Sequence, residues 1–103
     1  MVMSSQDVVN KLLKAIADPT RRTIVRLLAE RPRTVSEIVA EFGISQPAIS
    51  KQLGILERAG LVLRQREGQS IRCRLESRAL LPALAWIESI QSEFDERLYR
   101  LDS

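Results

Sequence analysis

Between Thr34 and Gly60 the chain writes two amphipathic helices with almost nothing between them, which leaves few ways to fold. Thr34 with Glu37 three residues later forms a capping box ahead of Val35, Ile38, Val39 and Phe42, an apolar face at helical spacing. Gly43 supplies a permissive residue just past that helix, and Ser45 supplies the next N-cap two residues on. From Ser45, the side chains Ile49, Leu53 and Leu56 share one face until Gly60 ends the run after Ala59. Two helices joined by so short a turn form a helix-turn-helix, whose second helix can lie in a DNA major groove.

After Gly60 the period changes to two. Leu61 to Glu67 and Ile71 to Leu75 flank the turn Gly68-Gln69-Ser70, with Ile71, Cys73 and Leu75 alternating with Arg72 and Arg74. This predicts a basic β-hairpin in which Ile71, Cys73 and Leu75 point inward and Arg64, Arg66, Arg72 and Arg74 decorate the ribbon. Upstream, Val9, Leu12, Leu13 and Ile16 stripe a first helix over about residues 6–17. Asp18-Pro19 then caps and opens a second helix carrying Ile24, Leu27 and Leu28, which Pro32 stops. Downstream, Leu80, Leu84, Ile87, Ile90, Phe94, Leu98 and Leu101 follow spacings of three or four over a last helix at about 78–101, with Pro82 tolerable only near its start. The fold class is mainly α with a small β-hairpin: a winged helix-turn-helix of about five helices plus a two-stranded wing, in a single domain over residues 1–103.

That last stripe is longer than one small core needs, and Leu81 and Trp86 widen it. Together with the first helix it suggests a homodimer interface of Val9, Leu12, Leu13, Ile16, Leu84, Trp86, Ile87, Ile90, Phe94 and Leu98; the alternative is an intramolecular cap on the wing domain.

Composition narrows the function. The chain lacks His and has one Cys, so the commonest acid–base group, the commonest metal ligand and any internal disulfide are absent. No phosphate-cradling or nucleophile-elbow motif occurs, so an enzyme is not expected, nor a cofactor. The N-terminus has no basic region leading into an apolar one and no stretch is long enough to span a bilayer, so the expectation is a cytoplasmic protein with no membrane partner. Net charge is +3, but Ser45 to Leu75 carries six basic against two acidic side chains, +4 in 31 residues, while the remainder sums to −1. Charge concentrated on the second helix and the hairpin points to double-stranded DNA.

Rotating by 100° per residue from the core positions of that helix sets Pro47, Lys51, Gly54 and Arg58 opposite, with Ser50 beside them and Gln46 in the first turn. Gln46, Pro47, Ser50 and Lys51 are candidates to face bases or adjoining phosphates. Ser45, chiefly a cap, adds a phosphate contact, and Thr34, Gln52, Arg64, Arg66, Arg72 and Arg74 are candidates for backbone contacts.

The segment KAIADPTRRTIVRLLAERPRTVSEIVAEFGISQPAISKQLGILERAGLV, Lys14 to Val62, continued by REGQSIRCRL, resembles the ArsR/SmtB-type bacterial winged-helix repressors. The most specific parts are ADPTRR and SQPAISKQLGIL followed by ERAGLV. The resemblance implies a homodimer, built through the first and last helices, that binds an inverted-repeat operator and represses transcription, often of its own operon. Many relatives sense metals through Cys on the helix before the recognition helix or His and carboxylates on the last. Here the first of these helices has no Cys and the last has Glu88, Glu93, Asp95 and Glu96 but no His, so no metal site is expected. Two alternatives stand beside this reading: a winged helix that binds only protein, and a repressor switched through the thiol of Cys73. Operator, regulated genes and any small-molecule effector are not encoded in readable form.

Overall fold

The computed structural model describes residues 3–101. Its elements are α1 (Ser5–Ile16), α2 (Pro19–Glu30), β1 (Arg33–Thr34), α3 (Val35–Glu41), α4 (Gln46–Arg58), β2 (Val62–Glu67), β3 (Ser70–Leu75), a single 3₁₀ turn (Ser77–Leu80) and α5 (Leu81–Leu101). Four helices start where a side chain satisfies an otherwise unpaired backbone donor: Ser4 accepts from Asp7 N, Asp18 from Arg21 N, Thr34 from Glu37 N and Ser45 from Ala48 N. The Thr34–Glu37 capping box is reciprocal. At the other end of α4, Leu61 N donates to Leu56 O and Gly60 N to Glu57 O, the paired bonds of a Schellman motif, with Gly60 at φ +79°. Gly43 has no such role: its φ is not positive and a Cβ there would meet open space, so the turn before α4 rests on the extended backbone of Phe42 and the Ser45 cap.

The wing has three strands rather than two. The short β1 pairs antiparallel with β3, giving the order β1-β3-β2. No hydrophobic alternation announces two residues of strand; β1 exists because the chain leaving α2 runs beside β3 before Thr34 caps α3. Glu67 pairs with Ser70, so the hairpin loop is only Gly68-Gln69. Gly68 at φ +61° with no positive φ at Gln69 is the pattern of a type II′ turn, which matches the strands' twist.

The core gathers Leu12 and Ala15 of α1, Ile24 and Leu28 of α2, Val35 and Ile38 of α3, Ile49, Leu53 and Leu56 of α4, then Leu61, Val62, Cys73 and Ala83. Leu12 is thereby sealed inside the protomer and leaves the predicted subunit interface, while Val9, Leu13 and Ile16 stay half-buried at its margin. Ile71, expected to point inward, is exposed because it sits near the hairpin tip, beyond the reach of the helices. After Ala83 no described side chain of α5 is covered. The radius of gyration is 17.2 Å, against about 13 Å for a compact domain of this length, because this helix projects from the body.

Candidate nucleic-acid interface

The core face of α4 is closed by Ile49, Leu53 and Leu56, each fully buried, so the helix can turn only its opposite side to solvent. Gln46, Pro47, Lys51 and Arg58 are exposed there, as is the cap Ser45. Lys51 and Arg58 enter no ion pair among the described residues, and the single acid of α4, Glu57, is held by Arg64 at 2.9 Å. That guanidinium keeps the Glu57 carboxyl below the ordinary carboxylate range, so the charge is neutralised by a fixed partner rather than by a proton.

Gly54 was expected on the open face. Its backbone is instead covered, since a Cβ there would meet Arg58 Nη1 at 3.4 Å and Arg64 Nη2 at 3.8 Å. The missing side chain makes room for two arginine heads.

The four wing arginines do not decorate one surface. Arg64 and Arg66 stand opposite Cys73 and Ile71, on the face toward the helices, whereas Arg72 and Arg74 stand opposite Gln65 and Leu63 on the other face. Arg64 is turned inward, donating to Glu57 Oε1 from Nε and Nη2 and to Ser50 Oγ from Nη1 at 3.2 Å. It is therefore not a free backbone-contacting cation. Arg72 pairs with Glu67 at 2.9 Å and Arg74 with Glu76 at 3.4 Å, both exposed pairs that a phosphate can displace at little cost. Arg66 has no ion pair among the described residues. Thr34 is half-buried and its hydroxyl is committed to the capping box. Gln52 is half-buried, its Oε1 accepting from Arg21 Nη1 at 2.7 Å.

Two arginines that sequence reasoning passed over organise this surface from behind. Arg21 also donates to the carbonyls of Ala15 at 2.6 Å and Lys14 at 3.2 Å, closing the C-terminus of α1; its signal lay in the quoted ADPTRR segment, whose arginines carried no assigned role. Arg33 is buried, donates to Leu27 O at 3.2 Å, pairs with Glu30 at 2.8 Å and lies opposite Cys73 in the register, fixing β1 to the wing. A lone arginine after Pro32 carries no pattern that would have revealed this.

Cys73 is fully buried, and desolvation pushes its thiol up to about 11 against the opposing pull of Arg64. A protonated thiol without access is a poor nucleophile and a poor redox sensor. Ellman's reagent is expected to leave folded protein unlabelled and to react with one thiol per chain after denaturation. Rapid labelling of native protein would restore the thiol switch. Among the described residues no group of three His, Cys, Asp or Glu is placed to hold a metal ion, and no helix is long and apolar enough to cross a membrane.

A half-wrapped helix with a basic outer face, flanked by a three-stranded wing, can be compared with known proteins. Residues 18–63 match the family described as "Bacterial regulatory protein, arsR family". The transcriptional repressor SdpR of Bacillus subtilis is 37% identical over 89 residues, covering 86% of this chain and 99% of SdpR.

The chain belongs to the ArsR family.

Its fold is that of solved ArsR proteins along nearly its whole length. An ArsR-like transcriptional regulator from Rhodococcus superposes with a TM-score of 0.82 at 27% identity, covering 96% of this chain and 93% of that one. A homodimeric winged helix-turn-helix DNA-binding domain from Mycobacterium bovis, solved by NMR, gives 0.68 at 34% identity, covering 92% and 85%. In ArsR terms α4 is the recognition helix, and β2 and β3 with β1 form the wing.

Proposed function

We propose that this ArsR protein is a cytoplasmic, homodimeric transcriptional repressor that binds an inverted-repeat operator, without catalytic activity. The observation that carries the reading is the outer face of α4. Its core side is sealed, its acid is neutralised by Arg64, and Lys51 and Arg58 stand exposed, neither in an ion pair among the described residues. Gln46, Pro47 and Lys51 meet the bases or the phosphates beside them, and the N-terminus of α4 with Ser45 favours an anion. Arg66, Arg72 and Arg74 supply backbone contacts, with Thr34 at the edge. SdpR, a repressor by name and matched along nearly its whole length, supports repression over activation.

The dimer is proposed from α5 and the margin of α1. Leu84, Trp86, Ile87, Ile90, Phe94 and Leu98 are all about half exposed on one side of a projecting helix, a face no monomer would leave in water. A groove of about 610 Å³ between α1 and α5, lined by Val9, Leu13, Pro82 and Trp86 among others, belongs to the same face and would be covered with it. The homodimeric Mycobacterium bovis domain supports this assembly.

The test is fluorescence anisotropy against DNA from upstream of the protein's own gene, with a scrambled duplex as control, at about 0.15 M salt. Preference for the native duplex by about 10³-fold or more is the expected result for a specific regulator. Lys51→Ala should cost about 1–3 kcal/mol on the native duplex and relax preference, whereas Arg66→Ala should weaken both duplexes and lower the salt slope by about one. Unchanged affinity in Lys51→Ala would mean that the wrong helix face has been assigned. Equal, steeply salt-dependent binding to both duplexes would favour a winged helix devoted to protein partners.

A further inference from the structure

The two polar side chains on the flanks of α4 are each held by an arginine from outside the helix. Ser50, on the wing side, accepts from Arg64 Nη1 at 3.2 Å; Gln52, on the α2 side, accepts from Arg21 Nη1 at 2.7 Å. Neither arginine is free to leave its place. Arg64 is doubly bonded to Glu57 and seated where Gly54 has no side chain, and Arg21 is anchored on the Ala15 and Lys14 carbonyls.

A guanidinium can only donate, which fixes the chemistry of both contacts. The Ser50 oxygen must accept, so its own proton points away from Arg64. The Gln52 amide must turn its oxygen toward Arg21, leaving its NH₂ as the group available to a ligand. Lys51 between them has no acceptor at all. A glutamine reads adenine by using oxygen and nitrogen together, accepting from N6 and donating to N7. An amide with one of its two oxygen lone pairs held on α2 presents its NH₂ outward and is ill placed to close that pair. Guanine, by contrast, offers two acceptors, N7 and O6, on its major-groove edge.

We infer that Arg21 and Arg64 are positioning residues that bias the middle of the recognition helix toward donor reading, selecting acceptor edges such as that of guanine through Ser50, Lys51 and Gln52. The inference rests on the proposed DNA-binding function and adds what that site reads. It gives Arg21 a task beyond capping α1 and removes Arg64 from the phosphate contacts.

The experiment is selection from a library of random-sequence duplexes by the full-length protein, followed by anisotropy on the enriched duplex with each base pair varied in turn. Seven proteins are compared: the parent, Ser50→Ala, Arg64→Met, Gln52→Ala and Arg21→Met, with Arg64→Lys and Arg21→Lys as rescues that restore a cationic donor. For the parent, the positions lost in Ser50→Ala and Gln52→Ala should be ones that require a purine N7 or O6 acceptor. Arg64→Met should relax the position that Ser50→Ala relaxes, and Arg21→Met the one that Gln52→Ala relaxes, by about tenfold in discrimination. In Arg21→Met the freed amide should shift that position from guanine toward adenine. The lysine variants should recover part of each preference, and the salt slope should stay that of the parent throughout, since no phosphate contact is lost. A slope lowered by about one with base preferences intact would overturn the inference, making the arginines backbone contacts. Relaxation at unrelated positions would also overturn it, as would a parent preference for adenine where Gln52 acts. Should the parent enrich no sequence, the DNA-binding reading itself fails, an outcome distinct from all of these. Circular dichroism of each variant separates lost positioning from lost folding, and the coincidence of positions between paired variants is a readout that general destabilisation does not produce.

Discussion

Phe94→Asp should convert the protein to a monomer and lower operator affinity by about 10²–10⁴-fold, the span by which linked binding exceeds a single site. Phe94 is 61% exposed in the protomer, in line with Ile87, Ile90 and Leu98 along α5. A carboxylate there would have to be stripped of water against the apolar side chains of a second copy. One half-site would remain accessible to each recognition helix, so weak binding to a single half-site should persist while the preference for two half-sites disappears. Light scattering gives the mass and anisotropy the affinity. A dimer of unchanged affinity would show that α5 is not the subunit interface and that its apolar face serves something else.

Leu53→Ala should destabilise the fold by about 2–5 kcal/mol, a large part of the stability of a small domain. Leu53 is fully buried at the centre of α4, between Ile49 and Leu56 on the face that meets the other helices. Its removal opens a cavity that α2, α3 and β2 cannot all close at once. Urea unfolding with unchanged slope should register the loss, and operator binding should fall at temperatures where the mutant is partly unfolded. Should the midpoint stay where it was, Leu53 is not a core residue and the rotational setting of the recognition helix is wrong. Because Lys51 lies across the same helix, the two results together orient α4: one substitution acts on folding and the other on binding.

The helices were legible because they carry an apolar stripe of the right period and four of the five begin with a side chain that caps them; Asp18-Pro19, Thr34 with Glu37 and Ser45 all act as read. Strand β1 was not legible, because two residues cannot express a period and its partner is about forty residues away. For the same reason the split of the wing arginines was hidden. Alternation within one strand gives two faces, but which face meets α4 is decided by register against β3 and by where Cys73 is buried. The first-helix stripe named Leu12 correctly as apolar and assigned it to the wrong neighbour, since a stripe says that a face is covered and not by what. The exposure of Lys51 was legible because it stands opposite a core face; Arg21 was missed because its partners, Ala15 O and Gln52 Oε1, lie in two other helices.

The strand order of the wing sets how copies of this protein can and cannot associate. β2 lies at the end of the sheet, and its outer row of backbone groups is open from Val62 to Glu67. Such a margin invites a further strand from another molecule. Here its exposed end carries Arg66, with no ion pair among the described residues, beside Glu67, and it ends in a two-residue turn that leaves no slack for sliding. A strand of like sequence laid alongside would bring guanidinium groups together, so sheet growth is blocked where it would be easiest. The association proposed through the helical face would be closed by a two-fold axis, whereas association through a sheet margin has no natural end. The wing charge proposed to meet nucleic acid thus also opposes growth of the sheet from this margin.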